Sequence, residues 1–515
     1  MKILLVTGRV AAPLIHKIVK NITQVDMKVL ELPIPVAAMM TSEYLLRELP
    51  RYKEHVDWSD IIIVPGMTKG DLAEVSKRLG KPVYKGCLYA DDIPFMIEYL
   101  MNGGELSTLN PLDELVSENK RMSEKEVLDR LRKEAENSQT RIGGKPLTSR
   151  FPLIAGEIFL NEHDNVEDVL FSIKRYLSEG ADIIVLGTSR LTLEQLLDVS
   201  KSIRKKLDVP LGVDFPRQEE IASLQDGEFD ILLSFTPEFL QKSLFKQPFE
   251  KTAMVIIPDH NAISADDKVI SLKKGLEEGL RQGHKKIILD PVLYPPMKGF
   301  VESVYAYIQV KKHFPDVPML MGVSNYVELI DADSIGVNAV LATIGVEIGV
   351  ELFLLTEASV KTSNSIREFK TAIEMALLAR EKGRYPKDFT LNLLVCKDKR
   401  RRGVRPKDVQ NAAVASRRVP HTADPAGYFK IYVDHAGKSI IVEHYYHGSM
   451  VPNLSIIGDD PSLIIGEILQ RKLATKPGHF YYLGRELCKA EIALKLGKDY
   501  VQDSDLFPDR EPIDF

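Results

Sequence analysis

Two polar side chains draw attention by where they fall. Asp290 closes the apolar run Ile287-Ile-Leu, and Asn325 closes Met319-Leu-Met-Gly322-Val-Ser324. Between them lie Tyr294-Pro-Pro-Met-Lys298-Gly299 and a stretch of helical character. A carboxylate and an amide at the carboxyl ends of neighbouring parallel strands can grip a flat, nitrogen-rich heterocycle by its edge. The carboxylate accepts two N–H bonds from a guanidine-like group, while the amide donates and accepts in the same plane. Further polar residues fall at other strand ends: Glu157 and Asn161, Ser189 and Arg190 after Gly187, Asp214, Ser234, and Lys298 after the sixth strand.

Eight strand–helix units have to carry these residues. The expected strands are Leu153–Ile158, Asp182–Leu186, Leu211–Val213, Ile231–Leu233, Met254–Ile257, Lys286–Leu289, Met319–Met321 and Leu352–Leu355. Val166, Val169, Leu170, Ile173 and Leu177 mark one helical face, and Leu272, Leu276 and Leu280 repeat at i, i+4 in another. Thr192 and Gln195 have the spacing of a helix-opening box. Over residues 151–384 this is the size and rhythm of a (β/α)8 TIM barrel, whose ligands bind at the carboxyl rim. A large doubly wound sheet is the alternative, because strand order is not written in the sequence.

The flanks differ in character. Residues 1–110 read as a small Rossmann/flavodoxin-like, doubly wound parallel α/β domain with strands Lys2–Val6, Met27–Glu31, Asp60–Val64 and Pro82–Tyr84. Thr7-Gly8-Arg9 and Gly66-Met-Thr-Lys69-Gly70 follow two of these strands. They are either anion-holding turns or turns in which glycine simply permits the bend. Residues 111–150 read as a charged helical connector in which Ser123 and Glu126 form a capping box. Residues 385–515 combine a basic linker, Lys397–Arg405, with a small α+β domain. That domain pairs Tyr428–Val433 with Ser439–Tyr446 in a hairpin and adds helices Pro461–Leu473 and Leu483–Leu496. His435, His444, His447 and His479 lack metal-binding spacing, so no metal site is expected. Tyr481, Tyr482, Arg485 and Glu486 read as a packed helix entry, and Trp58 as core or interface.

Composition narrows the function classes. In 515 residues, 44% are hydrophobic and 27% charged, with a net charge of -5, so the chain is globular and no nucleic-acid partner is expected. The three cysteines, Cys87, Cys396 and Cys488, stand far apart, which points to a reducing, cytoplasmic setting. No apolar run is long enough to span a bilayer, and the opening Met-Lys-Ile-Leu-Leu-Val reads as a strand and not a signal peptide. There is no G-x-G-x-x-G and no P-loop, so nothing supports a nucleotide.

Four phrases, in order and at strand ends, resemble a known family. Gly180-Ala-Asp-Ile-Ile-Val-Leu-Gly187, Pro210-Leu-Gly-Val-Asp214, Asp290-Pro291 with Lys298 behind it, and Gly322-Val-Ser-Asn325 are similar to motifs of the dihydropteroate synthase and pterin-binding superfamily. The three-part chain looks like the dihydropteroate-synthase-related proteins of methanogens and some methylotrophs, which are associated with tetrahydromethanopterin, and the resemblance implies an archaeal source. The resemblance implies a pterin-binding barrel in which Asp214, Ser234, Asp290, Ser324 and Asn325 hold a reduced pterin. It implies that Asn161, Ser189, Arg190 and Lys298 meet an anion or diphosphate, with Mg2+ helping to neutralise it, and that the barrel is a homodimer. The implied reaction joins a pterin-CH2 diphosphate to an arylamine, which in this setting would carry a ribosyl phosphate, in folate-type coenzyme synthesis. The family's Ser-Arg-Lys after strand seven is here Ser324-Asn325-Tyr326, and its Arg-x-His on strand eight is replaced by Thr356-Glu357-Ala358. Ser-Asn is the form of the pterin-dependent methyltransferases, so methyl transfer from a tetrahydropterin stands as the second expectation. A catalytically silent pterin carrier or regulator stands as the third.

Overall fold

A computed structural model describes residues 1–242, 245, 247–399, 413, 415–416 and 423–507. The chain forms two compact units, residues 1–130 with 386–390, and residues 131–385 with 391–515.

In the first unit four parallel strands, β1 (Lys2–Gly8), β2 (Asp26–Leu32), β3 (Ile61–Val64) and β4 (Val83–Lys85), lie in the order β2-β1-β3-β4. The run Ile3–Val6 is buried throughout because both faces of the sheet are covered. Leu4, Val6, Ile62 and Val64 enter one apolar cluster, and Ile3, Leu5 and Ile63 enter another. Gly8 and Gly66 are steric requirements of their turns: a Cβ would come within 2.8 Å of the Ile34 carbonyl oxygen at Gly8 and 2.7 Å of the Gly86 carbonyl oxygen at Gly66. Trp58 is partly buried, with the Lys28 ammonium 4.3 Å from its ring centre. The box expected at Ser123 does not open a helix. One helix runs unbroken over Leu112–Ala135, and the neighbouring Glu124, which is buried, accepts a 2.9 Å hydrogen bond from the Thr390 amide.

The second unit contains the barrel. Its strands are β5 (Leu153–Phe159), β6 (Ile183–Gly187), β7 (Leu211–Asp214), β8 (Ile231–Phe235), β9 (Ala253–Ile256), β10 (Ile287–Leu289), β11 (Leu320–Gly322) and β12 (Leu352–Thr356). They pair in parallel from β10 back to β5 and on through β12 to β11. The ring closes where Leu289 bridges Met319 and its amide donates to the Pro318 carbonyl at 2.9 Å. Leu153, Ala155, Ile183, Val185, Ile231, Leu233, Ala253, Val255, Ile288, Leu320 and Leu352 form one interior cluster, which includes Ile142 and Leu147. The segment expected to be a connector therefore lends apolar side chains to the barrel core.

Helices cover the outside. Thr192 and Gln195 form the expected reciprocal cap of Leu193–Arg204. The leucine repeat lies in the helix Ala265–Arg281, where it drifts from fully buried Leu272 to Leu280, which is 57% exposed. Gly275 and Gly279 share the buried face with Leu272, and a Cβ there would come within 2.7 Å of Ile256 and 2.9 Å of Ile287. Small residues let this helix lie close to the strands, and an apolar-period rule cannot see them.

The C-terminal sheet has three antiparallel strands, β13 (Tyr428–Asp434), β14 (Ser439–Tyr445) and β15 (Leu454–Gly458), and the sequence reading missed the third. Helices Pro461–Gln470 and Pro477–Leu496 share a core with it. Buried Asp424 ties the sheet to the second helix. It accepts from the Thr475 and Lys476 amides at 2.8 Å, the Thr475 hydroxyl at 2.7 Å and the Ala426 amide at 3.0 Å. Burial alone would raise its pKa, but these donors hold the carboxyl well below the usual carboxylate range. His479 leans on the same carboxylate at 3.2 Å, and Glu486 accepts from Tyr500 at 2.9 Å. The basic run from Arg400 to Arg405 lies outside the described residues.

Asp424→Ala should lower stability by about 3–5 kcal/mol, because four donors lose their acceptor, and a shift in the thermal or urea midpoint would register it. The folded pKa is depressed, so the stabilisation is present above the unfolded carboxylate value. It disappears as pH falls toward the depressed one, and the mutant's deficit should narrow in acid.

Candidate functional site

The barrel interior fixes which rim residues face inward. Side chains alternate along a strand, so Leu153 and Ala155 lead to Glu157, and Ile183 and Val185 lead to Gly187. By the same parity Ile288 leads to Asp290, and Gly212 to Asp214. Gly212 is an inward position because a Cβ there would meet Ile231 and Val185. Ser234 has the wrong parity after Ile231 and Leu233. A register shift between Leu232 and Phe235, with Ser234 at φ +70°, turns it, and its hydroxyl acts to lower the Asp214 pKa.

Asp290 is buried, at 8% exposure. Its Oδ1 accepts from the Val292 amide at 2.8 Å and from the hydroxyl of fully buried Tyr307. Oδ2 accepts no hydrogen bond among the described residues. Burial pushes the Asp290 carboxyl up to about 6; Tyr307, Val292 and Lys268 pull it down, and the Asp214 carboxylate adds to the rise. Asp214 is itself raised by burial, with the Ser234 hydroxyl opposing.

Glu157 completes the acidic arc. Its Oε1 occupies the space that Gly187 leaves open, since a Cβ there would come within 2.5 Å. Burial first, then Asp214 and Glu328, push its carboxyl up to about 7. It forms no hydrogen bond or ion pair among the described residues. Sequence reasoning placed Glu157 at a strand end but did not select it; the glycine one strand over was the available signal. Tyr307 and Lys268 were missed altogether, because both sit on helices and nothing in their local pattern points to the rim.

The remaining expected residues divide. Asn325 is exposed, and its amide donates to the Leu293 carbonyl at 3.4 Å, just beyond Asp290. Ser324 is engaged structurally, accepting from the Thr356 amide at 2.8 Å. Glu357, after strand eight, pairs with Arg175 and accepts from the Ile366 amide at 3.0 Å. Asn161, Ser189, Arg190 and Lys298 are all exposed, and neither Arg190 nor Lys298 makes an ion pair among the described residues. Lys361 is held by Asp331 at 3.0 Å. The structure thus gathers Asp214, Ser234 and Asp290, with Glu157 added and Asn325 at the border. It gathers no cationic cluster among the described residues. Among the described residues no group of three or more His, Cys, Asp and Glu side chains is placed to hold a metal ion, and no helix is long and apolar enough to cross a membrane.

Comparison with known proteins places the chain beside a full-length relative. It is 32% identical to the uncharacterized protein MJ0107 of Methanocaldococcus jannaschii, over 98% of this chain and 99% of that protein. A shorter match, 34% identical over 16% of this chain, is to the uncharacterized protein ycf91 of Pyropia yezoensis and covers 73% of it. Residues 423–503 match the family model PterinBD-DUF4346, and residues 1–88 match a family of unknown function, DUF6513. Among solved structures the chain is similar to dihydropteroate synthases from Coxiella burnetii and Vibrio fischeri. The first is 17% identical with a TM-score of 0.34 over 45% of this chain and 94% of that one. The second is 13% identical with a TM-score of 0.36 over 48% and 99%.

Tyr307→Phe removes one of the two donors on Asp290 Oδ1. The Asp290 pKa should rise further above about 6, read by carboxyl NMR titration, at a stability cost of about 1–2 kcal/mol.

Proposed function

We propose that this chain, which belongs to the family of the Methanocaldococcus jannaschii protein MJ0107, binds a reduced pterin at the mouth of its barrel and acts on it as a transferase. The observation that carries the reading is the state of Asp290. One carboxylate oxygen is anchored by Val292 and Tyr307, while the other, open at the edge of a residue that is otherwise buried, accepts no hydrogen bond among the described residues. An open acceptor on a largely buried carboxyl suits an amidine-like N–H edge, such as the 2-amino and N3 side of a pterin. Asp214, steadied by Ser234, would take a further ring N–H, and Asn325 would reach the ring from strand seven.

Two transfers remain to be told apart. Condensation with an arylamine releases diphosphate, and its developing charge calls for cations aimed inward. Here the inward groups are acids, and Arg190 and Lys298 are exposed. Among the described residues no carboxylate cluster is placed to hold Mg2+, so the residues present do not fit that ion. Methyl transfer from a tetrahydropterin is favoured by Glu157, a carboxyl near neutrality with no cationic partner, which can supply a proton to the ring nitrogen that loses its methyl group.

Calorimetric titration with tetrahydropterin tests the binding. Asp290→Asn should weaken it by about 2–4 kcal/mol, and wild-type affinity should rise with pH through about 6 as Asp290 ionises; equal affinities would remove the assignment. Turnover separates the chemistries. Diphosphate release from a pterin-CH2 diphosphate and an arylamine marks the first, and loss of a methyl group to a thiol or corrinoid acceptor marks the second. Binding with neither leaves a carrier. If methyl transfer is found, its rate should fall as pH rises through about 7, and Glu157→Gln should slow it by roughly 10²–10⁴-fold.

A further inference from the structure

The segment after Asp290 is built against its own backbone preference. Val292 has φ +63° and Met297 φ +60°, and Gly299 follows at φ +99°. A β-branched residue in the left-handed region is an outlier that persists only where surroundings over-determine it. At Val292 two attachments are visible. Its amide donates to Asp290 Oδ1, and its carbonyl receives the Lys268 ammonium at 3.1 Å.

Lys268 is an unusual partner. It sits on the helix Ala265–Arg281 and is 1% exposed. Its Nζ also donates to the Pro291 carbonyl at 2.8 Å and lies 3.5 Å from the centre of the Tyr294 ring. It thus touches Pro291, Val292 and Tyr294 at once and forms no ion pair among the described residues. Burial lowers its pKa to about 8, with Asp290 and Glu302 opposing, so it keeps its charge at neutral pH. Burying an ammonium to satisfy two carbonyls carries a desolvation cost that such contacts repay poorly. What it supplies is geometry.

We propose that Lys268 is a positioning residue that clamps the Pro291–Tyr294 turn in its left-handed form, and so sets both the Asp290 carboxylate and the Leu293 carbonyl that Asn325 meets. The assignment rests on the pterin reading for its functional consequence, but the clamp itself does not. If Lys268 moves out, Val292 returns to an extended or helical φ, its amide leaves Oδ1, and Asp290 keeps only the Tyr307 hydroxyl of the two donors that orient it. The acidic arm of the mouth then opens, although Lys268 touches no ligand.

A double-substitution cycle on the full chain tests this. Lys268→Met should weaken tetrahydropterin binding by about tenfold or more, the worth of one well-made polar contact. Val292→Gly removes the penalty for positive φ, so Lys268→Met/Val292→Gly should recover most of the lost affinity, whereas a lysine that merely packs the helix would give no such rescue. A Lys268→Met chain that binds like wild type, or a folded double variant that binds no better than Lys268→Met, overturns the proposal. Should Lys268→Met fail to fold, Lys268→Gln with and without Val292→Gly gives the same comparison. Thermal midpoints separate this from the functional reading. Wild type that binds no reduced pterin sinks the latter alone. The clamp then stands if Val292→Gly raises the midpoint more in the Lys268→Met background than in wild type, and falls if the two effects are equal.

Discussion

Closure of an eight-stranded parallel sheet leaves no inward position without a neighbour. Each strand alternates, so every second residue is committed to the interior, and the interior has only two destinations: the packed core or the open rim. In this chain the apolar series stops on each strand where the ring meets solvent. Glu157, Asp214 and Asp290 are the next inward residues on three strands. Their grouping follows from register, and no loop has to fold over to bring them together.

That arrangement carries an electrostatic cost. Three carboxyl groups with raised pKa values face one mouth, and among the described residues the cation whose charge bears on them is Lys268, at Asp290. For Asp290 the folded value, about 6, lies above the ordinary 3.8, so its ionisation weakens the fold at neutral pH and the deficit is relieved as pH falls through 6 toward 3.8. A fold gains nothing from such a group by itself. A ligand that brings N–H donors would remove the penalty, and this makes an acidic mouth selective for donor-rich rings over anions.

Much of this was legible in the sequence, because strand ends are marked by the switch from apolar to polar. Short apolar runs located the eight strands to within a residue or two, along with Asp214 and Asp290 at their ends. Ser324 and Asn325 looked equivalent as a dipeptide, yet the serine is occupied by the Thr356 amide and the asparagine is exposed. Sequence could not divide them, since the partner lies on another strand. Tyr307 and Lys268 escaped for the same reason: their neighbours are distant in sequence, and a buried lysine on an amphipathic helix looks like an ordinary solvated one. The helix Ala265–Arg281 was announced by its leucines, yet only Leu272 of them is fully buried, and the glycines that complete its inner face carry no apolar signal.

The mouth therefore has two sides of different mechanical character. Glu157 and Asp214 project from strands held by continuous ladders, where Gly187 pairs with Asp214 and Thr356 with Glu157. Their positions are as rigid as the barrel. Asp290 stands one residue past β10, at the root of a turn whose backbone is strained and whose conformation depends on a lysine and a tyrosine from two helices. Strain of this kind is stable only while each attachment holds, so the turn has fewer ways to relax than an ordinary loop but more than a strand. A ring entering between the two sides would meet a fixed wall on one and an adjustable acceptor on the other. That asymmetry locates any tuning of affinity on the Asp290 side, in residues that never touch the ligand.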